Sequence, residues 1–483
     1  MNVLLASGEV HPYSKTGGLA DMVGALAKTL ARTGHDARIV TPLYRGIHEQ
    51  FPQIRREEWS FNLPLGHRRV QSELFSLPVE SNLTVYFIRQ PDFYDRKGLY
   101  LEDNTPYTDN AERFIFFSKC VVHLARYLPW RPDVIHVHDW QTGVVPALIL
   151  NAQRNEGWGN PPPTCLTIHN LAYQGIFPRT AFELINLPPA FFTMETAEYF
   201  GHLNCLKAGI ALADSMTTVS PRYAREILTE EYGCGLDGLL RKRQARLTGI
   251  LNGVDYEEWN TMTDRYLVSP YSAARLGGKK IDKAELQKEM GLAITTAPLF
   301  GTITRLAEQK GIDIQLAALE EMLSANMQFV LLGAGSPAYE HGYHELARRF
   351  PNKVSTRFGY NEGLAHRIEA GCDFYLMPSR YEPSGLNQMY SLRYGTIPVV
   401  RATGGLDDSV VDFTENKALA NGIKFSEYSP RALSRAIRKA LALYEQTELL
   451  SRYRKNAMKC DFSWERTVGQ YLKVYESAKS RAG

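Results

Sequence analysis

At 483 residues the chain exceeds what one hydrophobic core usually organises, roughly 250–300 residues, so two or more domains are expected. A hydrophobic fraction of 44% and a net charge of only +3 describe an ordinary globular protein, and the dispersed lysines and arginines exclude a nucleic-acid surface. The six cysteines are far apart with no Cys-x-x-Cys pair, no apolar run approaches the roughly 20 residues needed to span a bilayer, and no leader-like segment precedes the first strand. Reduced thiols in a cytoplasmic protein, with no membrane or nucleic-acid partner, are the expectation.

Short apolar runs alternate with helical patterns through most of the chain, predicting an α/β fold with parallel sheets. The run Val3 to Ala6 leads to Lys15-Thr16-Gly17-Gly18-Leu19 and then a helix. Such a turn lets backbone N–H groups and a cation meet an anion, although tight chain reversal alone also favours paired glycines. Thr403-Gly404-Gly405-Leu406 repeats four of these five residues. Asp36 to Thr41 supplies the next strand, residues 51–81 read as hairpin-like, and Val85 to Arg89 as a strand. Pro91 to Asp95 reads as a loop too rich in turn formers to be core. A helix over 111–127 precedes the strand 133–140, which ends in His138-Asp139-Trp140. The strand 164–169 ends in His169-Asn170, and 213–219 is a further strand before a helix start at Ser220-Pro221.

One strand ends at Asn252-Gly253, and strand periodicity is then lost until about residue 298. The domains are therefore placed at 1–255 and 256–460, with a C-terminal helix over 461–483 packing back on the first. The second series places strands at 299–304, 328–333, 353–358, 374–377 and 397–400, with helices between them. Two doubly wound domains would result, their ligand edges facing a deep cleft. At those edges stand Lys15, Asp139 and His169 in the first half and Arg305, Lys310 and Glu382 in the second. Ligands of open α/β sheets bind beyond the carboxyl ends of strands, and these cations and carboxylates suit a diphosphate carrying a polyhydroxylated group. Alternation sends His136 and His138 to one strand face and Asp139 to the other, so no metal site is expected there.

Together Lys15-Thr16-Gly17-Gly18-Leu19, His138-Asp139-Trp140, Thr167-Ile168-His169-Asn170, Asn252-Gly253-Val254-Asp255, Arg305 with Lys310, and Glu382-Pro383-Ser384-Gly385-Leu386 resemble the bacterial glycogen synthases and plant starch synthases, in order, over about residues 1–478. The resemblance implies a GT-B glycosyltransferase with two Rossmann-like domains. Such an enzyme moves glucose from ADP-glucose to the non-reducing end of an α-1,4-glucan such as glycogen or a maltooligosaccharide, with retention, without metal or cofactor. It casts Lys15, His169, Arg305, Lys310 and Glu382 as catalytic. Gly17, Gly18, Asn252, Ser384, Gly385, Leu386, Thr403, Gly404 and Gly405 join Lys15, Arg305, Lys310 and Glu382 around the donor. Tyr94, Asp139, His169 and Asn170 border the acceptor. Three positions depart from the family pattern: Ser384 replaces the usual cysteine, Asn387 a common threonine and Gln141 a histidine found in many relatives. Two other readings stay open: a UDP-sugar transferase of the sucrose or trehalose type on the same fold, and a catalytically silent glucan-binding protein.

Overall fold

The computed structural model describes residues 1–103 and 105–482. They form two compact units: one of Met1–Val219, Ala224–Gly253 and the segment from Trp464 onward, the other of Ser220–Tyr223 and Val254–Ser463.

The sheet of the first unit runs in the order Leu247–Gly249, Ser215–Thr218, Thr164–Ile168, Val134–His138, Asn2–Ala6, Asp36–Pro42, Leu83–Arg89, Arg68–Glu80, Arg55–Leu65. The first seven are mutually parallel, and the last two add an antiparallel hairpin. Parallel strands are covered on both faces and so read as unbroken apolar runs, as Val3, Leu4, Leu5 and Ala6 do, all fully buried. Chain order reverses beside Asn2–Ala6, whose neighbours are Val134–His138 and Asp36–Pro42. The terminal helix Trp464–Ala482 packs on this unit, where the Tyr475 hydroxyl meets His136 Nδ1 at 2.8 Å and Lys479 pairs with Asp133 at 2.9 Å.

The second unit carries a fully parallel sheet in the order Val354–Phe358, Gln328–Gly335, Leu299–Leu306, Phe374–Met377, Ile397–Arg401, Ile423–Phe425. Numbered within the unit this is 3-2-1-4-5-6, with a topological switch point between Leu299–Leu306 and Phe374–Met377. The main core lies under helices Ile312–Met322 and Pro430–Glu445, where Leu319, Phe329, Leu433 and Ile437 are buried together.

Two segments differ from the sequence reading. Pro91–Tyr94 is a short helix rather than a surface loop: Gln90 caps it, and Phe93 and Tyr94 are core residues. Its turn formers govern the backbone at the helix start, while the two aromatics have enough apolar area to be buried regardless. Within the stretch lacking strand periodicity lies the helix Gly277–Glu289. It shows no apolar stripe because Lys279, Asp282, Lys283 and Gln287 are on its buried face. Lys283 is satisfied there by Asp373 at 2.6 Å.

Candidate active site

In the second unit the loops after the strands at the switch point meet. After Leu299–Leu306 comes a single 3-10 turn, Glu308–Lys310, and after Phe374–Met377 comes the segment that carries Glu382. The Arg380 amide donates to the Gln309 carbonyl at 2.9 Å, tying one loop to the other. Lys310 Nζ consequently reaches Glu382 Oε2 at 2.6 Å, and Ser379 Oγ donates to the same oxygen at 3.0 Å. Glu382 is largely buried and Lys310 partly so. Arg305 is exposed near the carboxyl end of Leu299–Leu306, with a long 3.4 Å contact to Gln309. It lines a recess of about 650 Å³ bounded by Ser336 and Tyr339, at the start of helix Pro337–Arg349, while Lys310 and Glu382 lie outside that lining.

The Glu382–Gly385 loop rests on the second Thr-Gly-Gly-Leu motif, backbone against backbone. A Cβ on Gly404 would stand 1.9 Å from the Glu382 carbonyl oxygen and one on Gly405 1.8 Å from that of Ser384, so both positions need glycine. The Gly405 amide donates to the Glu382 and Pro383 carbonyls (3.1 and 3.2 Å), and Thr403 is buried. Gly405 is among the residues expected around the donor. Its N–H is spent inside the protein, and the residue instead fixes the height of the Glu382 loop. Ser384 is buried and Leu386 half-buried. Asn387 braces the strand behind the loop, its Nδ2 donating to the Ile303 carbonyl and the Tyr375 hydroxyl at 2.8 and 2.7 Å.

In the first unit the loop after Asn2–Ala6 carries Lys15, whose Nζ lies 2.8 Å from Asp21 Oδ1, with the Lys15 side chain 45% exposed. Glu9, which the sequence reading passed over, holds this loop. Its carboxylate accepts the Thr16 hydroxyl at 2.9 and 3.0 Å and also the Thr16 amide. Burial raises the Glu9 pKa to about 7 against the lowering effect of those hydrogen bonds. The signal was a carboxylate inside the otherwise apolar or small stretch that follows the first strand. Unlike Gly404, Gly17 has extended backbone, and a Cβ there would meet nothing within 4 Å, so neither sterics nor backbone conformation demands glycine. Gly18 begins the helix Gly18–Arg32, whose amino end faces the loop.

Two neighbouring strands bring Asp139 and His169 together. The Asp139 amide donates to the Thr167 carbonyl at 3.0 Å, and the His169 amide donates to Asp139 Oδ1 at 2.7 Å. Asp139 has φ +53°, a costly conformation for a non-glycine residue, at the point where the chain leaves the strand. Burial raises its pKa to about 7, with the His169 and Asn170 amides opposing. His138 Nδ1 lies 3.1 Å from His169 Nε2, and burial lowers the His169 pKa to about 3, so the two imidazoles share one hydrogen bond as neutral rings. His136 and His138 do share a face, with ring centroids 4.1 Å apart. Asn170 Oδ1 caps the following turn by accepting the Ala172 amide.

Tyr94, expected at the acceptor side, is 0% exposed, and its hydroxyl donates to the Arg113 carbonyl at 2.9 Å, so its side chain offers a ligand no surface. Asn252 is buried, with an Oδ1 that has no hydrogen-bond partner. Gln141 is buried against Gly8, where a Cβ would come within 3.0 Å of its side chain.

Residues 2–242 match the starch synthase catalytic domain family, and residues 283–459 match the glycosyl transferases group 1 family. A glycogen synthase of Anaeromyxobacter sp. (strain Fw109-5) is 46% identical over 482 residues, covering 99% of both chains. The chain belongs to the glycogen and starch synthase family. A glycogen synthase of Syntrophotalea carbinolica is 42% identical over 479 residues, again covering 99% of each chain. Among solved structures, the catalytic domain of starch synthase IV from Arabidopsis thaliana, bound to ADP and acarbose, superposes with a TM-score of 0.89 at 32% identity over 99% of both chains. This family member therefore has the two-domain GT-B fold. Sucrose-phosphate synthase from Thermosynechococcus elongatus shares that fold at a TM-score of 0.60 and 17% identity.

Proposed function

We propose that this chain is a glycogen synthase that transfers glucose from ADP-glucose to the non-reducing end of an α-1,4-glucan, with retention of configuration and release of ADP. The single observation that carries the site assignment is the Lys310–Glu382 contact at the switch point of the second unit, beyond the strand whose carboxyl end carries Arg305. Arg305 and Lys310 stabilise the charge that grows on the departing diphosphate, an interaction stronger in the transition state than in the ground state. Glu382 orients Lys310 and accepts hydrogen bonds from glucose hydroxyls. Backbone groups of Ser384, Gly385 and Leu386 serve the donor. The second unit is thus the donor-binding domain and the first the acceptor-side domain.

In the first unit Lys15 exchanges Asp21 for an anionic oxygen of the substrate, which is feasible because an exposed ion pair is worth only about 0–1 kcal/mol. The open space over Gly17 admits that substrate. The carbonyl of His169 serves the developing oxocarbenium centre, with Asp139 holding the residue in place through its amide. Glu9 and Asp139 are both committed to backbone N–H groups, which favours same-face attack, the leaving phosphate taking the acceptor proton, over a carboxylate nucleophile. Six free cysteines suit a cytoplasmic setting, and among the described residues no helix is long and apolar enough to cross a membrane. The test is transfer of radiolabelled glucose into glycogen from ADP-glucose and from UDP-glucose in parallel. Preference for ADP-glucose is expected, and preference for UDP-glucose would overturn the donor assignment.

A further inference from the structure

We infer that Glu258, Glu362 and His366, in the second unit, form a binding site for a divalent transition-metal ion of the zinc class. One ligand atom from each lies within 4.8 Å of the other two. Glu362 and His366 are one helical turn apart on the helix Glu362–Gly371, a spacing that puts both side chains on one face. Glu258 approaches from the segment that enters the unit, and Trp259 beside it stacks on the His366 ring at 3.9 Å and 10°.

The imidazole is already oriented as a ligand. His366 Nδ1–H donates to Asp264 Oδ2 at 2.7 Å, and Nε2, the nitrogen a metal would take on displacing its proton, lies 3.3 Å from Glu362 Oε1. Asp264 is saturated: the Tyr394 hydroxyl donates to it at 2.5 Å and the Tyr266 amide at 2.8 Å. A carboxylate that fixes the tautomer and tilt of a metal-bound histidine is the usual outer support of a zinc site. His366 is only 1% exposed and stacked on Trp259, which in turn stacks on Tyr390 at 3.8 Å, so the nitrogen ligand is rigid. Glu258 is exposed and Glu362 half-buried, giving the ion a route in from solvent.

Imidazole nitrogen and carboxylate oxygen are both ligand types that zinc takes, and with three residues bound, water would fill a fourth position. Tetrahedral coordination needs ligand atoms about 3.4 Å apart, and rotation of the two glutamates supplies the contraction. None of the three residues belongs to the catalytic assignment above. The ion would clasp the entering segment to the helix Glu362–Gly371 and stabilise the unit without taking part in transfer.

The experiment uses the full chain stripped with chelator at pH 8 and titrated with Co²⁺ and with Zn²⁺, read by equilibrium dialysis, by Co²⁺ absorption bands and by thermal unfolding. One equivalent is expected to bind, with tetrahedral-type Co²⁺ bands and a rise in Tm of a few degrees at saturation. Glu258→Gln and Glu362→Gln should each weaken binding about 10-fold or more, while glucosyl transfer by the stripped variants stays within about twofold of the parent. Should His366→Gln fail to fold, the two surface glutamate variants still decide the matter. Substoichiometric binding, or binding that these variants leave unchanged, would overturn the site.

Discussion

Lys310 Nζ and Glu382 Oε2 stand 2.6 Å apart although 72 residues separate them in sequence, each on a loop following one of the two strands that flank the switch point of the second unit. The pair links a cation suited to diphosphate with a carboxylate suited to sugar hydroxyls. Lys310→Ala should therefore lower kcat for transfer from ADP-glucose by about 10²–10³-fold, the scale seen when one preorganised transition-state donor is lost. Glu382→Gln keeps the size and the Ser379 contact but releases Lys310, and it should lower kcat with little change in Tm. Steady-state kinetics beside thermal unfolding separate the two effects. Wild-type kcat in either variant would remove the pair from the reaction.

Lys15 tests whether an exposed ion pair is only a resting partner. Lys15→Met should change stability by no more than about 1 kcal/mol, because its contact with Asp21 is solvent-screened. The same variant should cut kcat by at least about 10²-fold if the ammonium meets an anionic oxygen of the substrate. Denaturant titration alongside single-turnover transfer measures both. A stability loss without a kinetic one would return the loop to a structural role.

The two Thr-Gly-Gly-Leu motifs should respond oppositely to alanine. Gly405→Ala forces a Cβ into the Ser384 carbonyl oxygen and should destabilise the second unit strongly, giving poor expression or a Tm drop of several degrees. Gly17→Ala meets open space and should cost no more than about 1 kcal/mol, yet reduce transfer by crowding the substrate. Differential scanning calorimetry on both variants, with initial rates for Gly17→Ala, checks the contrast.

Glu9 predicts a pH dependence of stability. Burial raises its folded pKa to about 7 from a reference of 4.5, so the folded protein binds the proton more tightly than the unfolded chain. The associated stability is fully present below the unfolded value and is lost as pH rises through the folded one. The slope is on the order of 1 kcal/mol per pH unit between those limits and flat above them. Asp139, raised to about 7 from 3.8, acts in the same direction. Glu9→Gln keeps an acceptor for the Thr16 amide and should flatten part of the decline between about pH 4.5 and 7, leaving the variant relatively more stable at pH 8. Parallel Tm profiles that decline equally would refute the assignment.

The sequence by itself determined the repeated strand, loop and helix, because parallel strands buried on both faces must be apolar runs and chain reversals need turn residues. It therefore placed Lys15, Asp139, His169, Arg305, Lys310 and Glu382 at strand ends. Which strand lies beside which depends on long crossover connections, and no local pattern carries that information. Only the 3-2-1-4-5-6 order set Lys310 against Glu382. Only the packed structure showed that Tyr94 is core, that the Gly405 amide is already taken, that Glu9 holds the Thr16 loop, and that the charged face of Gly277–Glu289 turns inward to Asp373. Except for Glu9 and Thr16, seven residues apart, the deciding partner is distant in sequence, and a hydrogen bond or a close backbone approach has no periodicity to betray it.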